Sequence, residues 1–598
     1  MEKGDYTIEN VYQGGYSTLD PDKAYLNNFT GYRTSAGSLG LTTDPRTANI
    51  IKDASSKLST GVKQIELALI SPAVFDSIPK QQLKEVRELG KVTGVEISVH
   101  APVIDSAGMS QQGFSELNRE EAERKITEFL MRSHEINPNG NIPVTFHSAE
   151  GIPGSEWKTL GSEGKEREAK RIIAIDKDSG KMVPLEREEK FYPENDLSEP
   201  EIHTPEKNLK IINATDWDNK ISQLFFNKER ADEILEQNRI PIEHLLKKFE
   251  EKKKRGEDFM QGLDPIQQKA YMKFMDAENY LKEINKNANA IFSKGYEYGD
   301  ENQKNKLREL SDKYKEDLGE NGGDPFVQSQ AMHRLLVNLQ NPALAPEMFV
   351  PIEKFAVDQS SKTYGNAAFN AYSKFKDVNK TPMMVIENPP AGFGLSTGED
   401  LKNLVVASRN QFIEKAKEKG MGENEARKVA EKLIGATWDV GHINMLRKQG
   451  FKEEDIIKET EKIAPYVKHV HLSDNFGLEH TELPMGMGNV PMKEIMKKLG
   501  EKGFEGKKII EAGNWWEHFK IPPVKETLEG LGSPMYSFEG GPYWNQSLGL
   551  QQGYFSGYGM MLPSHNYQTF GAGFSQLPAE LGGEVKGRGG GFSQRGME

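Results

Sequence analysis

Short apolar runs alternate with helical stretches along this chain, four before and four after a charged interval of more than two hundred residues. The runs are SLGLTT (38–43), GVKQIELAL (61–69), GVEISVHAP (94–102), IPVTFHSAE (142–150), PMMVIENPP (382–390), LIGATWDVGH (433–442), YVKHVHLSD (466–474) and KKIIEAG (507–513). Apolar runs this short, bounded by turn residues and separated by helical periodicity, read as strands buried on both faces, the pattern of a parallel sheet. Eight βα units in series predict an α/β fold of the (β/α)8 TIM-barrel type. An open doubly wound sheet is the competing topology. It would place a glycine-rich phosphate loop after the first strand, and LTTDPRT contains none.

At 598 residues the chain exceeds one ordinary core, so the barrel must carry additions. The pattern divides it into an N-terminal extension (1–37), a first half-barrel (38–154), a charged and mainly helical insertion after the fourth strand (155–380), a second half-barrel (381–525) and a tail (526–598). Charge mixing on the helical faces of the insertion suggests a solvated segment. The tail, with GGPYWNQSLGLQQGYFSGYGMML and GRGGGFSQRGME, is Gly- and aromatic-rich without helical or strand period, and reads as a flexible low-complexity segment. Arg588–Arg595 gives it a weak resemblance to an RNA- or protein-contacting tail. Two helix starts are expected, one with Pro45 in the first turn and one capped by Asn118 with Glu121 reciprocating.

The net charge of −13 argues against a general nucleic-acid binder, whose affinity rests on a basic footprint. There is no cysteine, so disulfides, thiolate nucleophiles and sulfur-held zinc are excluded, and any metal must be held by His, Asp and Glu. No apolar run reaches the length of a bilayer span and the first residues lack a signal-peptide core, so a cytoplasmic protein with no membrane partner is expected.

The acids and imidazoles fall where barrel enzymes do their chemistry. His100 ends the third strand, His147 the fourth, Glu387 the fifth and Asp439 the sixth, with His442 just beyond. His471 ends the seventh, followed by Asp474, His480 and Glu482 in the next loop, and Glu511 ends the eighth. Taken singly, a strand-end His is usually a hydrogen-bonded structural residue, and Asp439 could be an N-cap for the next helix. Six successive strands ending this way put them all at the C-terminal face of a barrel. Gathering several carboxylates there costs several kcal/mol per charge unless cations compensate, about as much as a whole domain's stability. A divalent metal centre is therefore expected, zinc first, with manganese, cobalt or magnesium as alternatives. His469 lies two residues before His471 and faces the same side one layer deeper. Its expected role, with Asn388 and Asp474, is to orient ligands by hydrogen bonds.

The pieces SVHAP, FHSAEG, IENPPAGFG, WDVGH, HVHLSDN, LPMGMGN and IIEAG, in this order over 38–150 and 382–520, resemble the xylose isomerase-like TIM-barrel superfamily. That superfamily includes endonuclease IV-type apurinic endonucleases and sugar isomerases and epimerases. The isomerase branch implies one metal on Glu387, Asp439, His471 and Glu511, with His442 on substrate and the two glutamates shuttling a proton. The endonuclease branch implies His100, His147 and His442 in addition, and an Asp-x-His pair that here reads His480 and Glu482, its acid and imidazole in swapped order. The fuller ligand set favours a multinuclear, zinc-type phosphoesterase with Glu387, Glu511 and His442 in catalytic roles. An isomerase or epimerase, and a barrel kept as a binding scaffold, are the alternatives. The expected substrate is a small phosphorylated or sugar compound, with abasic DNA as the family's own precedent. Against DNA stand the acidic chain, Val103 where the endonucleases carry an invading aromatic, and an insertion that departs from the active face.

Overall fold

The computed structural model describes residues 30–531, apart from 31, 33, 35, 59, 61, 111–112, 149–151, 159–167, 194–199, 256–261, 320–322 and 520–521. Nearly all of the expected N-terminal extension, and the tail from 532 onward with its Arg588–Arg595 segment, lie outside the described residues. Each of the eight apolar runs forms one strand: β1 (Leu39–Thr42), β2 (Gln64–Ala68), β3 (Glu96–His100), β4 (Pro143–His147), β5 (Met383–Glu387), β6 (Ile434–Asp439), β7 (Val467–Leu472) and β8 (Lys507–Ile510). They pair in chain order, all parallel, and β8 closes onto β1 to complete the barrel. The chain is an α/β TIM barrel. Every residue of β6 is buried, as expected for a strand with helices on one side and barrel interior on the other.

The outer helices follow the strands, with two local departures from the sequence reading. The helix after β1 begins at Ile50, because Arg46 Nε donates to Asp44 Oδ1 in a preceding turn and Asn49 Oδ1 accepts from Lys52 N at 3.2 Å. The helix after β3 spans Glu116–Ser133 with Ser115 at its N-cap, which puts Asn118 inside the first turn. Both departures have one cause. Several polar residues near a helix start can cap it, and the loop that delivers the chain selects among them.

The long interval between β4 and β5 holds two things. The helix Ile352–Phe375 belongs to the barrel: it packs on Glu116–Ser133 and Gly398–Glu418. Gly365 allows that approach, since a Cβ there would lie 2.7 Å from Ser408 O. Before it, Ala174–Asp178 and Leu185–Val350 form a compact unit of their own. Its helices include Pro205–Gln237, Pro265–Tyr298, Glu301–Leu318 and Pro325–Leu339. On the first, Trp217, Ile221, Leu224, Ala231 and Leu235 make a buried stripe at helical spacing, so this segment has a sequestered core rather than being solvated throughout. Trp217 Nε1 donates to Leu339 O at 2.8 Å inside that core, while Asp264 and Asp300 close two helix starts with capping boxes. The interval also contains short strands, among them Glu168–Asp176 and Met182–Glu186, within a segment expected to be mainly helical. Among the described residues no helix is long and apolar enough to cross a membrane.

The helix Gly398–Glu418 opens with Thr397, whose hydroxyl accepts from Asp400 N at 3.1 Å and donates to Asp400 Oδ2 at 2.6 Å. The residue keeps some exposure, but its carboxyl group is enclosed. Burial raises its pKa to about 6, with Glu353 and Glu459 adding repulsion. A carboxyl shifted upward favours the folded state at low pH, and that contribution is lost as pH rises through about 6. Asp400→Asn is therefore expected to stabilise the protein above pH 6 by about 1–2 kcal/mol, after allowance for partial exposure, and to leave it unchanged near pH 4. Denaturant melts at the two pH values check this; equal gains at both would contradict it.

Candidate metal centre

Alternation along the strands stacks the inward side chains in layers. Glu66, Ser98, Thr145, Thr437 and His469 form one layer, seen in contacts that cross the barrel. Thr145 and Thr437 hydroxyls meet at 3.2 Å, and His469 Nε2 is 2.8 Å from Glu66 Oε2. Two residues further along their strands come His100, His147, Asp439 and His471, joined by Glu387 from β5 and by Glu511 just past β8. Pairing register sets Glu387 beside His147 and Asp439 beside His471.

Glu387 is the hub of this upper layer. Its Oε2 lies 3.0 Å from His100 Nε2 and 3.5 Å from His147 Nε2, and its Oε1 lies 2.7 Å from His471 Nδ1. The same His471 nitrogen is 2.7 Å from Glu511 Oε2. His100 Nδ1 faces the Ala101 carbonyl at 3.1 Å, so it carries a proton and leaves Nε2 turned inward. Three groups among the described residues are able to hold a metal, His100–Glu387–His471, Glu387–Asp439–His471–Glu511 and, one layer deeper, Glu66–His469–His471, each with its donor atoms within 4.8 Å of one another. All three share His471, and the first two also share Glu387.

The question of whether Asp439 caps a helix or serves the centre has a double answer. Its Oδ1 accepts from His442 N at 2.7 Å, capping the short helix Val440–Asn444, while the carboxylate belongs to the four-residue group. Asn388 fixes it from below: its Oδ1 accepts from Asp439 N at 2.9 Å and its Nδ2 donates to Asp439 O at 3.1 Å. The Asn388 carbonyl accepts from His442 Nδ1 at 2.8 Å, which turns the bare Nε2 outward, 2.7 Å from His480 Nε2. Glu482 stands 3.6 Å from His480 through Oε1, and its Oε2 accepts from Gly513 N at 3.0 Å. It sits at φ 42°, a left-handed conformation uncommon for a side chain of this kind. Asp474 makes its contacts with the loop itself, accepting from the backbone N–H groups of Asn475, Gly486 and Val490. It therefore shapes the 474–490 loop that carries His480 and Glu482. None of the metal-capable groups among the described residues includes His147, His442, His480 or Glu482.

Electrostatics follow from this crowding. Burial would discharge His471, but Glu387, Glu511 and Glu66 outweigh it and hold its pKa well above the ordinary value. His100 rises to about 9, burial being overcome by the hydrogen bond and charge of Glu387. Burial pushes Asp439 well above the carboxylate range, with repulsion from Glu511 and Glu387 adding to it. Against burial, His471 holds Glu387 well below that range and Glu511 at about 2. Burial, then His480, lowers His442 to about 3, so that ring is neutral at pH 7. Protons on His100, His471 and Asp439 thus balance the carboxylates, and release of such protons is the signature of cation uptake by a donor set of this kind.

These residues fit a divalent metal. Glu511 Oε2 is buried without a hydrogen-bond partner although His471 Nδ1 is 2.7 Å away. Donors that close and misaligned for hydrogen bonding are placed to converge on a shared cation. Imidazole and carboxylate together suit zinc, manganese, iron or cobalt. The sequence reading missed Glu66, which attended only to strand exits. The available signal was a lone acid at an inward position of QIELAL, within a strand buried on both faces.

Residues 422–532 match the family described as xylose isomerase-like TIM barrel. An uncharacterized protein of Methanocaldococcus jannaschii is 31% identical over 102 residues, which are 17% of this chain and 33% of that protein. The chain thus spans about a third of the length of that relative. A crystal structure of a D-tagatose 3-epimerase-like protein aligns at 15% identity and a TM-score of 0.32, covering 83% of this chain and 96% of the other. The chain is similar to xylose isomerase-like TIM barrels, as its motifs imply.

Proposed function

We propose that this protein is a divalent-metal-dependent phosphoesterase with a multinuclear centre, acting on a small phosphorylated sugar or nucleotide. One observation carries the reading: the Glu387 carboxylate divides its two oxygens between His100 and His147 on one side and His471 on the other. A carboxylate so placed could serve cations on either side of it, and isomerisation does not need His100 and His147. Cations bound there would polarise a phosphoryl oxygen and acidify water.

The chain's own residues do the rest. Glu511 accepts the proton of an attacking water, since it is held ionised by His471 and is the carboxylate of the group with part of its side chain exposed, 18%. Asp439 is fixed by Asn388 and Ser473, so it holds its position while charge changes around it. His442, neutral and anchored through Nδ1, directs Nε2 with His480 toward the phosphate or a further cation.

Metal analysis of the purified protein is expected to give about two to three zinc or manganese ions per chain, and the loaded protein to hydrolyse bis(p-nitrophenyl) phosphate or a sugar phosphate. Abasic-site DNA belongs in the same assay as a competing substrate. A second reading rests on the four-residue group, which could by itself hold one ion and has two glutamates among its donors. One ion per chain, with keto-sugar epimerisation and no phosphoester turnover, would assign that chemistry instead.

A further inference from the structure

Glu66 is the most deeply committed charge in the barrel, and neither the motifs nor the chemistry above give it a part. It is fully buried near the middle of β2, one layer beneath the two metal-capable groups that share Glu387, and with His469 and His471 it makes up the third. Its Oε2 accepts from Ser98 Oγ at 2.9 Å and faces His469 Nε2 at 2.8 Å, and its Oε1 lies 2.9 Å from His471 Nε2. That last contact has hydrogen-bonding length but a bent N–H direction. Ser98 and His469 therefore hold one oxygen and aim the other at His471. Burying an ionised carboxylate costs several kcal/mol unless close partners compensate. The partners here reach the centre only through the His471 ring, whose opposite nitrogen faces Glu387 and Glu511.

We infer that Glu66 is a positioning residue, which claims the Nε2–H of His471 and thereby presents Nδ1 as the ligating atom to the Glu387–Asp439–Glu511 group. An imidazole can bind a cation through either nitrogen, and the hydrogen bond on the other one decides which. Ser98 and His469 are the brace behind it: they set the carboxylate, and the His469 ring lies edge-on to that of His471, centroids 5.2 Å apart. The inference rests on the metal-dependent reading above.

The test is a titration of metal-free protein with Zn²⁺ and, separately, Mn²⁺ against a competing chelator, for the wild type, Glu66→Gln, Glu66→Asp and His469→Gln. Glu66→Gln is expected to weaken metal binding about 10–100-fold, the usual effect of losing such a partner, with the metal-free melting temperature as the control for folding. Glu66→Asp keeps the charge but is one methylene too short to reach His471, so it should weaken binding similarly. It carries the test if Glu66→Gln does not fold. His469→Gln leaves the Glu66–His471 contact in place and should cost several-fold less. Wild-type affinity in a folded Glu66 variant, or an equal loss in His469→Gln, would overturn the inference.

A readout without metal separates this idea from its premise. Histidine-labelled, metal-free protein should show a slowly exchanging imidazole N–H resonance that disappears in both His471→Gln and Glu66→Gln. If that resonance is present and neither metal binds the wild type, the metal-dependent reading fails and the Glu66–His471 pairing stands. If metal binds and the resonance survives Glu66→Gln, the pairing fails and the metal-dependent reading stands.

Discussion

Replacing Glu387 by glutamine is expected to eliminate both metal binding and turnover, with loss of activity well beyond the roughly 10–100-fold seen when only an orienting partner is removed. Glutamine keeps the shape and removes the charge that His100, His147 and His471 all face. In the metal-free protein the substitution should also destabilise the fold by about 3–5 kcal/mol, the usual cost of breaking a buried charge pair by removing one partner. The pH dependence has a definite sign. His100 has its pKa raised to about 9 by Glu387, so the stabilisation from that pair is complete below the ordinary imidazole value and disappears as pH rises through about 9. Glu387 itself is shifted downward, so its contribution is present above the ordinary carboxylate value and lost as pH falls. The stability gap between wild type and Glu387→Gln should therefore be widest from about pH 5 to 6 and narrow as pH rises through about 9, where the His100 share is lost. Denaturant melts across that range measure the gap, and metal analysis measures occupancy. A Glu387→Gln protein that keeps its full metal complement and rate would remove the bridging role.

Gly441→Ala should disable the centre without altering a single candidate ligand. Gly441 lies in the short helix Val440–Asn444, where a Cβ would meet Ser473 Oγ at 2.1 Å and the Ser473 carbonyl at 2.9 Å. Ser473 Oγ donates to Asp439 Oδ1 at 3.1 Å, and Asn475 Nδ2 donates to Gly441 O at 2.8 Å. One methyl group thus pushes on the brace of Asp439 and on the start of the loop carrying His480. Overpacking of this kind costs about 1–3 kcal/mol in stability, and a displacement on the order of 1 Å at a reacting centre costs about 100-fold in rate. Thermal melting and metal titration report the two effects separately. Combining Gly441→Ala with Ser473→Gly removes the shorter contact and should recover stability more than metal affinity, because Asp439 still lacks its hydroxyl donor. Unchanged affinity in Gly441→Ala would show that Asp439 does not depend on this helix.

Much of the barrel was legible because its information is local. Strands buried on both faces must be apolar throughout, so each advertises itself, and the spacing of the helices between them leaves few ways to close the sheet. His100, Glu387, Asp439, His471 and Glu511 could be nominated for the same reason: a residue at the C-terminal end of a barrel strand has its direction set by alternation alone. The helix starts near Pro45 and Asn118 were harder, since several polar residues compete for a cap and the incoming loop decides. The core of the insertion was misread because a mixed-charge helix still buries one stripe when a neighbour covers it, as Trp217 and Leu224 do.

The sequence by itself determined the eight-stranded α/β barrel and the rim on which acids and imidazoles gather, because side-chain direction on a strand is a matter of parity. Which of those side chains meet was decided only in three dimensions. Glu387 binds together His100, His147 and His471 across gaps of 84 to 287 residues in the chain, and His480 pairs with His442 while Asp474 turns back to its own loop. Glu66 makes the distinction plain. Its position is an ordinary inward place on a strand, and its weight comes from His471 on a distant strand, which alternation could not connect to it. Contacts across a closed barrel depend on strand tilt and register, and those are properties of the closed sheet rather than of any one segment.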